Sequence, residues 1–148
     1  MPTSPKRGVH KAAGAEIFVD TGGWIALMSR DDAHHGRAIA AWPDILRRFR
    51  RVVATNLVIA ESYTFLRRAV GFPVAWALLE RLQWTPRLAL IYADADLEGD
   101  ARDLLRQYSD QDFSSTDAVS FAAMRRTGIT QAFGFDRHFV TAGFVLIP

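Results

Sequence analysis

Five short apolar runs recur along this chain with segments of helical length between them, and that alternation limits the folds open to it. The runs fall at 17–19, 52–54, 87–92, 131–135 and 144–147. The helical segments are 21–28, 32–49, 56–69, 73–84, 94–108 and 115–127, and 109–114 reads as a polar loop. Parallel strands cannot be joined by a tight hairpin, so strands alternating with helices imply a parallel sheet covered on both faces. The punctuation agrees. Thr55 or Asn56 can cap the third helix and Gly71 can stop it; Pro73 suits a first turn and Asp94 an N-cap. Pro43 lies inside the second helical segment and predicts an irregularity there. The expected fold is a three-layer α/β/α domain around a central, mainly parallel sheet of four to five strands.

A chain of 148 residues with 49% hydrophobic content has enough apolar material for one packed domain. It has no cysteine, which excludes disulfides, zinc–thiolate sites and thiol catalysis. No signal peptide and no apolar stretch of membrane-spanning length is evident, so a cytoplasmic location is expected and no membrane partner. Residues 1–15 are rich in Pro, Gly, Ala and basic residues and read as a flexible leader or an appended remnant, with a single domain over 16–148. The formal charge of +2 depends on that leader, which holds Lys6, Arg7 and Lys11 and no acid. From Glu16 onward fifteen arginines face sixteen acids, with no lysine. Gathering four acids into one site would leave a mildly basic surface, suited to a phosphate backbone.

Four carboxylates stand where such a fold would collect them. Asp20 closes the first apolar run, and Asp136 directly follows the fourth. Glu61 shares a helical face with Leu57 and Phe65, and Asp117 with Phe121 and Met124, so both acids are expected on buried stripes. Each admits a plain structural explanation. Asp20 can be a turn residue before Gly22-Gly23, Asp136 can start a turn, and Asp117 follows Ser114 by three, as in a capping box. Glu61 is hardest to explain this way. Buried carboxylates are costly unless neutralised or paired, and four converging acids suit a hard divalent cation such as Mg²⁺ or Mn²⁺.

The motifs around these acids resemble those of PIN-domain proteins. Phe18-Val-Asp20-Thr-Gly-Gly-Trp-Ile-Ala-Leu27 resembles their opening strand and helix, and Asn56-Leu-Val-Ile-Ala-Glu61-Ser their second acidic motif. Asp112-Phe-Ser-Ser-Thr-Asp117-Ala-Val-Ser resembles the third, and Phe135-Asp136-Arg-His-Phe139 with Gly143-Phe144 the last. The chain is most similar in flavour to the VapC-like toxin ribonucleases of toxin–antitoxin pairs. The resemblance implies an endoribonuclease that hydrolyses RNA phosphodiesters using one or two Mg²⁺ or Mn²⁺ ions. Its implied catalytic and metal-binding set is Asp20, Glu61, Asp117 and Asp136. It also implies a partner antitoxin and a homodimer. Asp112 is a candidate outer acid, and Thr21 and Thr116 are candidate hydrogen-bonding supports for the carboxylates.

The other candidates are weaker. Arg47, Arg48, Arg50 and Arg51 form the densest basic cluster, suited to RNA phosphates, to an acidic partner or simply to a solvated helix end. His138 is a candidate RNA contact. His34 and His35 read as a solvated pair. Trp76 and Trp84 could leave an apolar face on the helix after Gly71. A receiver domain would need a lysine near its acids, and a haloacid-dehalogenase-type phosphatase a second Asp at position 22, where this chain has Gly. The remaining alternative is a non-catalytic PIN-fold module that binds RNA or protein.

Overall fold

A computed structural model of the chain describes residues 16–148, so the leader expected at 1–15 lies outside the described residues. The sheet contains β1 (Glu16–Val19), β2 (Arg51–Thr55), β3 (Leu88–Ile91), β4 (Gln131–Phe133) and β5 (Val145–Ile147). The helices are α1 (Thr21–Met28), α2 (His35–Arg48), α3 (Asn56–Ala69), α4 (Phe72–Trp84), α5 (Ala95–Gln107), α6 (Ser115–Thr127) and α7 (His138–Thr141). All four strand pairings are parallel, in the order β3-β2-β1-β4-β5. The expected mainly parallel sheet is therefore wholly parallel, with five strands.

That order determines where a site can form. The chain steps from β1 to β2 to β3 in one direction, then returns across β1 to lay down β4 and β5 in the other. Crossovers between parallel strands are right-handed, so α1 to α4 cover one face and α5 to α7 the other. α1 packs against α2 and α3, α3 against α4, and α5 against α6. The order reverses between β1 and β4, and the carboxyl edge beside such a reversal is where α/β sheets bind ligands.

Burial explains the strand segments. Ile17, Phe18, Val19, Ala132 and Phe133 are fully buried, as central strands covered on both faces require. Phe18, Phe121 and Phe139 form a buried aromatic cluster on the α6–α7 side, with Phe121 and Phe139 edge-to-face at 4.9 Å. On the other face Trp42 meets Phe133 at 5.3 Å and Trp24 at 6.3 Å. Gly23 is required where α1 crosses β4, because a Cβ there would lie 2.6 Å from the Phe133 carbonyl oxygen.

Several boundaries depart from the sequence expectations. α2 begins at His35, because Asp32 closes a turn in which its Oδ1 accepts from the His34 amide at 2.9 Å. Pro43 sits within a continuous α2. Thr55, not Asn56, caps α3, accepting from the Val58 amide at 3.2 Å; Asn56 instead accepts from the Ala93 amide at 2.9 Å and ties α3 to the chain after β3. β4 stops at Phe133, so Asp136 does not directly follow a strand; Gly134 and Phe135 intervene. The four-residue α7 was not expected, being too short to show a helical period.

Candidate metal centre

Asp20 leaves β1 at the reversal point and forms the N-cap of α1. Its amide donates to the Phe133 carbonyl at 3.1 Å, which continues the β1–β4 pairing one residue past the strand. The residue is only 4% exposed. Gly134 makes this burial possible: a Cβ there would stand 3.2 Å from the Asp20 Cβ and 3.7 Å from its Oδ2. Burial pushes the Asp20 carboxyl up to about 7. A hydrogen bond from the Thr21 backbone acts in the opposite direction, while the charges of Asp117, Asp136 and Glu61 add to the rise. The field at Asp20 therefore comes from the three other acids singled out in the sequence.

Asp117 and Asp136 close the site from the α6–α7 side. The Asp117 Oδ2 accepts from the Ser114 amide at 3.0 Å, and the Ser114 hydroxyl accepts from the Asp117 amide at 3.0 Å, completing a capping box at the start of α6. The structural role foreseen for Asp117 is thus present, and its side chain is still 13% exposed toward the site. His138 lies between the two acids, its Nδ1 at 3.3 Å from the Asp117 Oδ2 and 3.5 Å from the Asp136 Oδ1. Ligand atoms of Asp117, Asp136 and His138 all fall within 4.8 Å of one another. His138, the candidate RNA contact, thus stands against both carboxylates. It is the start of the short α7 that brings its ring beside the N-terminus of α6.

Glu61 stands apart from these three. It was expected on a buried stripe with Leu57 and Phe65, but the buried stripe of α3 is Val58, Ile59, Ser62 and Leu66. Glu61 is exposed, and with Leu57, Ala60, Thr64, Phe65, Arg68 and Thr116 it lines an open groove of about 750 Å³. The helical period is the expected one but the buried face is not: side chains flanking an open groove have the same period as a core stripe.

The supporting residues divide. The Thr21 hydroxyl is buried without a hydrogen-bond partner among the described residues, so Thr21 acts on Asp20 through its backbone. Thr116 lines the groove beside Glu61. Asp112 is exposed in the loop before α6 and is not among the charges that raise Asp20. The arginine cluster lies elsewhere. Arg51 begins β2, whereas the acids sit beyond the strands' carboxyl ends, the five-residue length of β2 away, or roughly 15 Å. Arg47 and Arg48 pair with Asp44 at 3.2 and 3.4 Å. These residues therefore do not border the acidic pocket.

The donor set fits a hard divalent cation. It is built mainly of carboxylate oxygens, and its innermost member is buried among like charges that a cation would offset. None of the helices among the described residues is long and apolar enough to cross a membrane.

Comparison with known proteins agrees with this fold. A sequence profile of the PIN domain matches residues 17–145. The 23S rRNA-specific endonuclease VapC20 of Mycobacterium tuberculosis, in strains CDC 1551 / Oshkosh and H37Rv, is 39% identical over 133 residues, which span 87% of this chain and 95% of that protein. The crystal structure of M. tuberculosis VapC20, described as a sarcin–ricin loop cleaving toxin, superposes with a TM-score of 0.80 at 36% identity, over 87% of this chain and 96% of that one. FitAcB from Neisseria gonorrhoeae shares the fold at a TM-score of 0.61 and 18% identity, over 89% of this chain and 96% of that one.

Proposed function

The chain belongs to the PIN domain family, and from that membership we propose that it is a divalent-metal-dependent endoribonuclease acting as the toxin of a toxin–antitoxin pair. The observation that carries the reading is the buried Asp20 carboxyl, raised to about 7 within the field of Asp117, Asp136 and Glu61. A merely structural N-cap would have no reason to sit among three like charges. Asp20, Asp117 and Asp136 hold one or two Mg²⁺ or Mn²⁺ ions, directly or through water, with Glu61 at the groove edge. Bound there, the cation supplies Lewis acidity toward water and phosphate. Asp20 positions that charge at the reversal point of the sheet, and His138 fixes the spacing of Asp117 and Asp136. The groove along α3 receives the RNA strand, with Arg68 available to a phosphate.

The substrate is structured ribosomal RNA, as the name of the mycobacterial relative indicates for that protein. A protein of this kind needs restraint by an antitoxin. The exposed Phe72–Trp76 pair on α4 and the apolar groove lined by Trp24, Leu27, Ile39 and Trp42 are surfaces that an antitoxin or a second copy would cover.

Ribosomal RNA incubated with Mg²⁺ or Mn²⁺ should be cut by the wild type, and Asp20→Asn should lose at least about a hundredfold of that rate while keeping its fold. Full activity in Asp20→Asn, with contaminating nuclease excluded, would return the chain to the binding-module reading.

A further inference from the structure

On the α2 side of the acidic pocket two rings from distant parts of the chain lie face to face. The His34 imidazole stacks on the Phe135 ring with centroids 4.2 Å apart and planes 4° from parallel. Arg37, three residues further along α2, places its guanidinium 5.3 Å from the centroid of the same ring. Phe135 immediately precedes Asp136, so the ring under His34 and one of the carboxylates come from adjacent residues of the loop after β4. His34 is exposed, and among the described residues it makes no second ring contact. A flat, polar-edged imidazole, backed by a phenyl ring and flanked by a cation, therefore stands beside the segment that carries Asp136 with one face toward solvent.

A solvated surface histidine would normally sample several rotamers. This one is held coplanar with an aromatic side chain, and its backbone is held by the turn in which the His34 amide donates to Asp32. Such a pair has the geometry of a base-stacking platform, which reads π-faces and tolerates any base. The position matters as well. A base at His34 would lie close along the strand to a phosphate reached through a cation on Asp136, because His34 stacks on the residue next to Asp136.

We infer that the His34–Phe135 stack is a nucleobase-binding ledge that sets the RNA in register with the acidic pocket, with Arg37 beside it for the phosphate backbone. The inference rests on the ribonuclease reading above and assigns it a substrate-positioning residue. The pocket then has two walls: the α3 groove beside Glu61 on one side and this ledge on the other.

The test uses the full chain and a fluorescein-labelled sarcin–ricin-loop hairpin RNA, with binding followed by anisotropy in the Asp20→Asn background and cleavage followed in the otherwise native chain. His34→Ala should weaken binding roughly five- to thirty-fold, the size of one lost base–aromatic stack, with the loss appearing in KM more than in kcat. His34→Phe should restore binding, because it stacks without hydrogen bonding, and His34→Gln should not. If His34→Ala binds and cleaves as the parent does, the ledge is refuted and the nuclease reading survives. Rescue by His34→Gln but not by His34→Phe would also refute it, pointing to a hydrogen bond. If the native chain neither binds nor cleaves the hairpin, the ledge falls together with the reading beneath it.

Discussion

Burial and three acidic neighbours hold the Asp20 carboxyl near 7, and the consequence for stability has a definite sign. The unfolded chain releases this proton near 3.8, whereas the metal-free folded protein keeps it to about 7. Between those values the folded state binds the extra proton, so stability is greatest below the lower value and falls as pH rises through the window. The slope is about 1.4 kcal/mol per pH unit, and the whole window is worth about 4 kcal/mol. Asp20→Asn cannot ionise. Its metal-free stability in urea should therefore gain on the wild type from pH 4 to pH 8, and a constant difference across that range would show that Asp20 is not held in its protonated form. A cation must displace the same proton, so Mg²⁺ or Mn²⁺ affinity in the wild type should climb with pH up to about 7 and then level.

At the scale of elements, the site depends on how closely α1 approaches β4. Two adjacent glycines open that helix, and the structure distinguishes them. A Cβ on Gly22 would meet nothing within 4 Å, whereas on Gly23 it would lie 2.6 Å from the Phe133 carbonyl oxygen and 2.9 Å from the Phe133 ring. Gly23→Ala should therefore cost about 2 kcal/mol, because backbone cannot yield as a flexible side chain can. Gly22→Ala should be neutral or stabilising by up to about 1 kcal/mol through helix propensity. Thermal melts of the two variants test the contrast. Gly23→Ala should also lose RNA cleavage, since lifting α1 from β4 moves Asp20 away from Asp117 and Asp136.

For the whole molecule, the notable surface is the set of aromatic residues that α4 leaves exposed. Phe72 stacks on Trp76 at 5.8 Å, Arg67 lies 5.8 Å from the Phe72 ring, and Trp84 at the end of α4 is 77% exposed. We propose a homodimer through α4, which would cover these residues and place two acidic pockets on one particle. Light scattering should then give twice the 16.5 kDa of one chain. Phe72→Glu together with Trp76→Glu should reduce that to a single chain without unfolding it. Co-expression with the neighbouring gene should return a complex if an antitoxin is encoded there. A chain that is monomeric in the wild type, and whose expression never slows growth, would leave a PIN-domain nuclease of another purpose.

The sequence by itself determined the layer architecture, the caps at Ser114 and Asp94, and the four acids, because each is a local or periodic signal. Alternating apolar runs and helices allow few arrangements, and an acid closing an apolar run stands out in any register. It could not determine the strand order, and it is the order β3-β2-β1-β4-β5 that brings Asp20 and Asp136, 116 positions apart, to one edge. Nor could it tell which face of α3 was buried, since Leu57, Glu61 and Phe65 have the spacing of a core stripe yet line a groove. The basic cluster at Arg47 to Arg51 was legible as charge, but the direction of β2 placed it at the far edge. Gly134, His138 and the His34–Phe135 stack meet their neighbours only through contacts between segments distant in the chain. Such contacts leave no period and no spacing in the sequence, and tertiary packing alone decides them.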